Sequence, residues 1–134
     1  MAERLALLAA LVVVAAVAVL VVRRWLAARA AARAGAALPA DLPIEHPGAP
    51  TLVYFYGAGC PACPTQRAAL ESLKDRAPVN VVPIDAAADP SLAEWAGVLT
   101  VPSTALVDPT GRLQRVNHGF RSADELADQL KLIA

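Results

Sequence analysis

The chain has 134 residues, 57% of them hydrophobic, with twelve basic and twelve acidic side chains and no net charge. That length allows one globular domain, and the absence of a basic excess argues against a nucleic-acid partner.

The apolar fraction is concentrated near the N-terminus. After a short leader, residues 1–4, Leu5 to Val22 is a run of eighteen apolar residues without glycine, proline or charge. As a helix rising about 1.5 Å per residue it reaches roughly 27 Å, close to the hydrocarbon thickness of a bilayer. The rest of the chain is too small to cover such a helix on every face. Residues 5–22 therefore read as a transmembrane helix, with the lipid bilayer as a partner. Arg23, Arg24 and Trp25 follow as interfacial anchors. A cleaved signal peptide would carry a basic leader and a shorter apolar stretch of about 7–15 residues. The positive-inside rule sets Arg23, Arg24, Arg29 and Arg33 against Arg4 and the α-amino group. It predicts that the following domain faces the cytoplasm; the alternative is an extracytoplasmic domain.

Residues 23–34 continue as a basic helix, either solvated or set against anionic head groups. Gly35 ends it. Pro39, Pro43, Pro47 and Pro50 then punctuate a stretch with no periodicity. Residues 23–49 thus read as a juxtamembrane helix and a semi-extended linker reaching up to roughly 45 Å, and residues 50–134 as the folded domain.

That domain opens with Thr51 to Tyr56, β-branched and aromatic, which predicts a buried strand with Phe55 on one face and both tyrosines on the other. Gly57-Ala58-Gly59 makes a turn. Cys60-Pro61-Ala62-Cys63 follows, and these are the only two cysteines. A helix is predicted from Cys60 to about Arg76, stopped by Pro78. On that reading Cys60 is the N-cap, where unpaired N–H groups and the helix dipole favour a thiolate. Pro61 then holds the first helical position, and Cys63 lies one turn inward. An attacking thiol with a second thiol at this spacing suits dithiol–disulfide exchange. Val79 to Ile84 reads as a strand that Pro83 confines to an edge or bulge. Asp89 to Gly97 reads as a short helix with an N-cap, a first-turn proline and a terminal glycine. Thr104–Val107 and Leu113–Asn117 form a hairpin around Asp108-Pro109-Thr110-Gly111. Ser122-Ala123-Asp124-Glu125 is a capping box that opens the last helix.

Phe55 through Cys63 resembles the strand, loop and redox motif of the thioredoxin-like superfamily. Val98 to Thr104 is similar to that family's segment bearing a cis-proline, and Asp108-Pro109-Thr110-Gly111 and Gly119 fall at matching turns. The resemblance covers residues 50–134. It implies a three-layer α/β/α sandwich with a four-stranded mixed sheet, here preceded by the single transmembrane helix. It also implies thiol–disulfide oxidoreductase activity, with Cys60 as nucleophile and Cys63 as resolving thiol. Gly59, Pro61 and Ala62 would shape the motif, and Val101 and a cis Pro102 would pair with an extended segment of the substrate. The expected partners are protein disulfides or dithiols and a redox protein that recharges the pair, with no organic cofactor and no metal. The chain departs from the family at Gly59, where a tryptophan is common, and at Tyr54, where a buried acid is common. The family's first strand–helix unit is missing.

Other readings remain for the pair. A zinc site would need ligands beyond His46 and His118, whose spacing fits no structural zinc pattern. A static disulfide over so short a loop would stabilise little. A redox-inactive, membrane-tethered interaction or chaperone module is the rival function. A peroxiredoxin-type peroxidase lacks a threonine and arginine constellation around Cys60. Trp95 reads as core or rim of its short helix, and His118 as a strand-surface residue.

Overall fold

The computed structural model describes residues 1–134 apart from the side chain of Ala30. Helix α1 spans Ala2–Arg33. It is the one helix among the described residues long and apolar enough to cross a membrane, and its apolar window has no buried share. Length and composition of this kind also fit a signal sequence. On the basic part of α1, Arg29 lies 4.6 Å from the centre of the Trp25 ring, an i,i+4 cation–π contact.

The compact unit Arg33–Ala134 holds the remaining elements. These are β1 (Thr51–Tyr56), α2 (Cys63–Lys74), β2 (Asn80–Asp85), α3 (Pro90–Ala96), β3 (Ser103–Val107), β4 (Leu113–His118) and α4 (Ala123–Ile133). The sheet order is β2-β1-β3-β4. β1 runs parallel to β2 and antiparallel to β3, and β3 is antiparallel to β4. The chemistry of the connections dictates this. The β1–β2 link carries a helix, which a parallel pair requires. The β3–β4 link is a tight turn built on Asp108. Its carboxylate accepts from the Thr110 and Arg112 amides (2.9 and 3.0 Å), the Thr110 hydroxyl (2.6 Å) and the Gln114 amide (2.7 Å). Those donors, the Thr110 hydroxyl foremost, hold the Asp108 pKa below the usual carboxylate range. Pro83 sits on the edge strand β2, opposite Tyr54, where a missing N–H costs no ladder bond on the open side.

Two apolar clusters cover the two sheet faces. Leu52, Tyr54 and Leu106 meet Leu70 and Leu73 of α2 and Leu126 and Leu130 of α4. Val53, Phe55, Ala105 and Val107 meet Leu92 and Ala96 of α3. The caps are local and follow their residues. The Asp89 carboxylate accepts from the Leu92 amide, Gly97 ends α3 at φ 72°, and Ser122 and Glu125 form a reciprocal capping box.

The proline-punctuated stretch after Gly35, expected as a semi-extended linker, is docked onto this unit instead. The Gly35 amide donates to Leu113 O (2.7 Å), the Leu113 amide to Ala36 O (2.9 Å) and the Leu38 amide to Gly111 O (2.7 Å). The Trp95 indole N–H donates to Ala37 O at 2.9 Å. Ala36, Leu38 and Leu42 pack on the second cluster. Further along, the Asn80 side chain bonds both the amide and the carbonyl of His46, at 2.8 and 3.0 Å. The cause is area. α3 has seven residues, about 10 Å of helix, against a four-stranded face roughly 15–20 Å wide. The strap supplies the cover that α3 cannot.

Candidate functional site

The central strand β1 ends at Tyr56 and delivers the chain into the loop of Gly57 to Ala62. Gly59 takes φ 67°, the left-handed region that glycine enters without steric cost. Gly57 is needed for closeness: a Cβ there would stand 3.2 Å from Val101 Cγ2. Cys60 and Cys63 are joined in a disulfide with their Cα atoms 5.4 Å apart. Cys60 is half-buried, whereas Cys63 is only 7% exposed. An incoming sulfur can therefore reach Cys60 far more readily than Cys63.

The helix starts later than its sequence suggests. α2 begins at Cys63, with Ala62 as a right-handed N-cap that makes no side-chain cap bond. Cys60 is therefore not the N-cap, and the proline in the first turn is Pro64 rather than Pro61. Pro64 is the cause. Its amide would bond Cys60 O in an α-helix continued back through the motif, but proline has no N–H. The Cys63 amide takes that carbonyl instead (3.3 Å), in a tighter i→i+3 turn. Cys60 stands one tight turn ahead of the regular helix, where the dipole acts less strongly.

Beneath the pair lies Tyr54, 1% exposed, whose hydroxyl donates to Cys63 O at 3.0 Å. Burial raises its phenol pKa above the ordinary value, partly opposed by the charge of Arg67, while Tyr56 adds to the rise. Tyr54 is thus a neutral donor at physiological pH. No charged side chain is buried among the described residues; the buried polar ones are Thr51, Gln66, Asn80, Ser103, Thr104 and Asn117.

The disulfide opens onto a groove of about 750 Å³ lined by Cys60, Cys63, Gly59 and Pro61, with Tyr56, Gly57, Pro64, Ala68, Arg67 and Glu71. Of the residues singled out in the sequence, Ala62 supports the turn without lining this groove. Val101 touches Gly57 across the loop. Pro102 is buried behind it; the Val101–Pro102 peptide is cis, and Pro102 O accepts from the Gly119 amide at 2.8 Å. Gln66 was not anticipated. Fully buried on α2, it bonds both the amide and the carbonyl of Arg121 (2.8 and 3.0 Å), tying the β4–α4 loop to the helix of Cys63. Arg67 also lines the groove. It stands four residues beyond Cys63, one helical turn, and that i,i+4 spacing is the signal the sequence carries. Its guanidinium lies 5.8 Å from the Tyr56 ring centre. His118 lies outside the groove; its Nδ1 is 3.5 Å from the Ser103 hydroxyl, and burial lowers its pKa.

The family model described as TraF, F plasmid transfer operon protein, matches residues 46–131. No curated protein matches the sequence. Among solved structures, a mutant thioredoxin from Halobacterium salinarum NRC-1 is similar at 26% identity and TM-score 0.59, over 63% of this chain and 74% of that one. The MTB dsbF structure is similar at 23% identity and TM-score 0.55, over 65% and 82%. StoA from Bacillus subtilis is similar at 18% identity and TM-score 0.50, over 63% and 84%.

Proposed function

The chain belongs to the TraF family and has a thioredoxin-like fold with a close cysteine pair, and from that premise we propose that it is a membrane-anchored thiol–disulfide oxidoreductase acting on protein substrates. The observation that carries the reading is the contrast between half-buried Cys60 and buried Cys63 at the mouth of an open groove. In the reducing direction the Cys60 thiolate attacks a substrate disulfide. The substrate S–S bond breaks, a mixed disulfide forms, and the leaving thiolate takes a proton. Cys63, deprotonated, then attacks Cys60 Sγ, releasing the second substrate thiol and closing the Cys60–Cys63 bond. Two electrons pass to the substrate, and a dithiol redox partner must restore the pair. In the opposite direction a substrate dithiol is oxidised by the same steps reversed. Sulfur alone carries the exchange, so no cofactor or metal takes part. Val101 and Pro102 are assigned to the substrate's extended segment, beside the loop that Gly57 opens.

The test is insulin reduction with dithiothreitol as the recharging dithiol. Precipitation of the reduced insulin chains well ahead of dithiothreitol alone is the expected result. A rate equal to dithiothreitol alone would favour a redox-inactive interaction module.

The anchor in this reading is the apolar run of α1, and the four arginines that follow it put the domain on the cytoplasmic side. A membrane-impermeant maleimide applied to intact cells, with the pair reduced, is expected to leave Cys60 unlabelled until the cells are permeabilised. Labelling without permeabilisation would move the domain to the extracytoplasmic side.

A further inference from the structure

The groove beside the disulfide has one charged flank that the exchange chemistry does not use. Tyr56, Pro61 and Pro64 give apolar walls around Cys60, while Arg67 and Glu71 project from α2. The two are four residues apart, a spacing at which an ion pair forms on a helix. Glu71 pairs instead with Lys74 at 3.6 Å. Among the described residues Arg67 has no carboxylate within ion-pair distance, and its guanidinium lies 5.8 Å from the Tyr56 ring centre. A guanidinium placed over a ring keeps edge donors in a fork that matches a carboxylate. Its charge reaches the phenol of Tyr54 under Cys63, where it opposes the effect of burial.

We propose that this groove seats the substrate segment flanking the reacting cysteine, and that Arg67 selects segments with an acidic side chain about two residues from that cysteine. The inference rests on the oxidoreductase reading above. The mixed disulfide with Cys60 fixes the substrate cysteine at the head of the groove. The Arg67 backbone lies about 6 Å along the helix beyond Cys63. Helical side chains point back toward the N-terminus, and its guanidinium reaches the Tyr56 ring. That leaves a gap from Cys60 that an extended chain covers in about two residues. Arg67 is exposed, so the pairing is a surface ion pair, modest in strength and screened by salt. Glu71 lies one turn further on and is engaged by Lys74, so the first charge met along the groove is positive.

The test uses the full-length protein in neutral detergent, with its disulfide reduced and the reductant removed. Two amidated peptides, identical except for Asp or Lys two residues from a single cysteine, carry that cysteine as a mixed disulfide with thionitrobenzoate. Cys60 attacks the peptide sulfur and thionitrobenzoate leaves as a coloured thiolate. Cys63 then displaces the peptide thiol, so the protein dithiol supplies both electrons. At low salt the Asp peptide is expected to react about fivefold faster than the Lys peptide. The ratio should fall toward one in Arg67→Gln, invert in Arg67→Glu, and shrink in about 0.5 M salt. A ratio isolates recognition from any change that these variants make in thiol reactivity. Equal rates in the unaltered protein, or a ratio unchanged by Arg67→Gln, overturn the inference and leave the oxidoreductase reading standing. A glutathione–thionitrobenzoate disulfide that outpaces the Asp peptide overturns the assignment of the groove to a protein segment. Thionitrobenzoate release from no substrate overturns the oxidoreductase reading and this inference with it.

Discussion

Cys60→Ser is expected to abolish disulfide exchange, with insulin reduction falling to the rate of dithiothreitol alone, while Cys63→Ser reacts once and stays covalently joined to its substrate. The asymmetry comes from burial. Cys60 is half-buried and lines the groove, whereas Cys63 is 7% exposed and packed over Tyr54. A serine hydroxyl has no accessible anion at neutral pH, so the first attack is lost with Cys60. Without Cys63 the mixed disulfide forms but nothing within reach displaces the substrate. Turnover assays and mass analysis of non-reduced adducts read both effects. Adducts accumulating on Cys60→Ser rather than on Cys63→Ser would reverse the assignment of roles. Residual turnover by Cys60→Ser would remove the dithiol mechanism altogether.

Phe55→Ala is expected to cost about 3–5 kcal/mol of folding stability, a large share of the roughly 5–15 kcal/mol that holds a domain together. Phe55 is fully buried on the central strand and packs among Leu92, Ala96, Ala105 and Val107. Neighbours on one side belong to the sheet and cannot collapse into the gap; on the other side they belong to the short helix α3. The cavity would thus persist and add to the lost transfer energy. Urea unfolding in detergent measures the change. Leu132→Ala, at a side chain 81% exposed, serves as the control and should stay within about 0.5 kcal/mol. A cost below about 1 kcal/mol at Phe55 would mean that the second face of the sheet is not the packed core described above.

What the sequence determined by itself is what depends on neighbours in the chain. Alternation along Thr51–Tyr56 sends Tyr54 and Phe55 to opposite faces, and they enter opposite clusters. Asp89, Gly97 and the Ser122–Glu125 pair mark helix ends through bonds spanning three or four residues. The cysteine pair at a strand–helix junction was legible for the same reason, as was the four-stranded mixed sheet implied by its resemblance. Tertiary structure decided the rest, because the deciding partners are far apart in sequence. Nothing in residues 35–49 announces a strap; it is docked by carbonyls and amides of Gly111 and Leu113 and by the side chains of Trp95 and Asn80, over a sheet face left bare by a short helix. Gln66 acquires its role only when folding brings Arg121 against it, 55 residues further along the chain. Arg67 stands one helical turn from Cys63 by a spacing the sequence shows, but only folding sets Tyr56 and Gly57 across from it to make a groove. A pattern in the chain can state which face a residue takes, but not what stands opposite that face, and the groove is made of such oppositions.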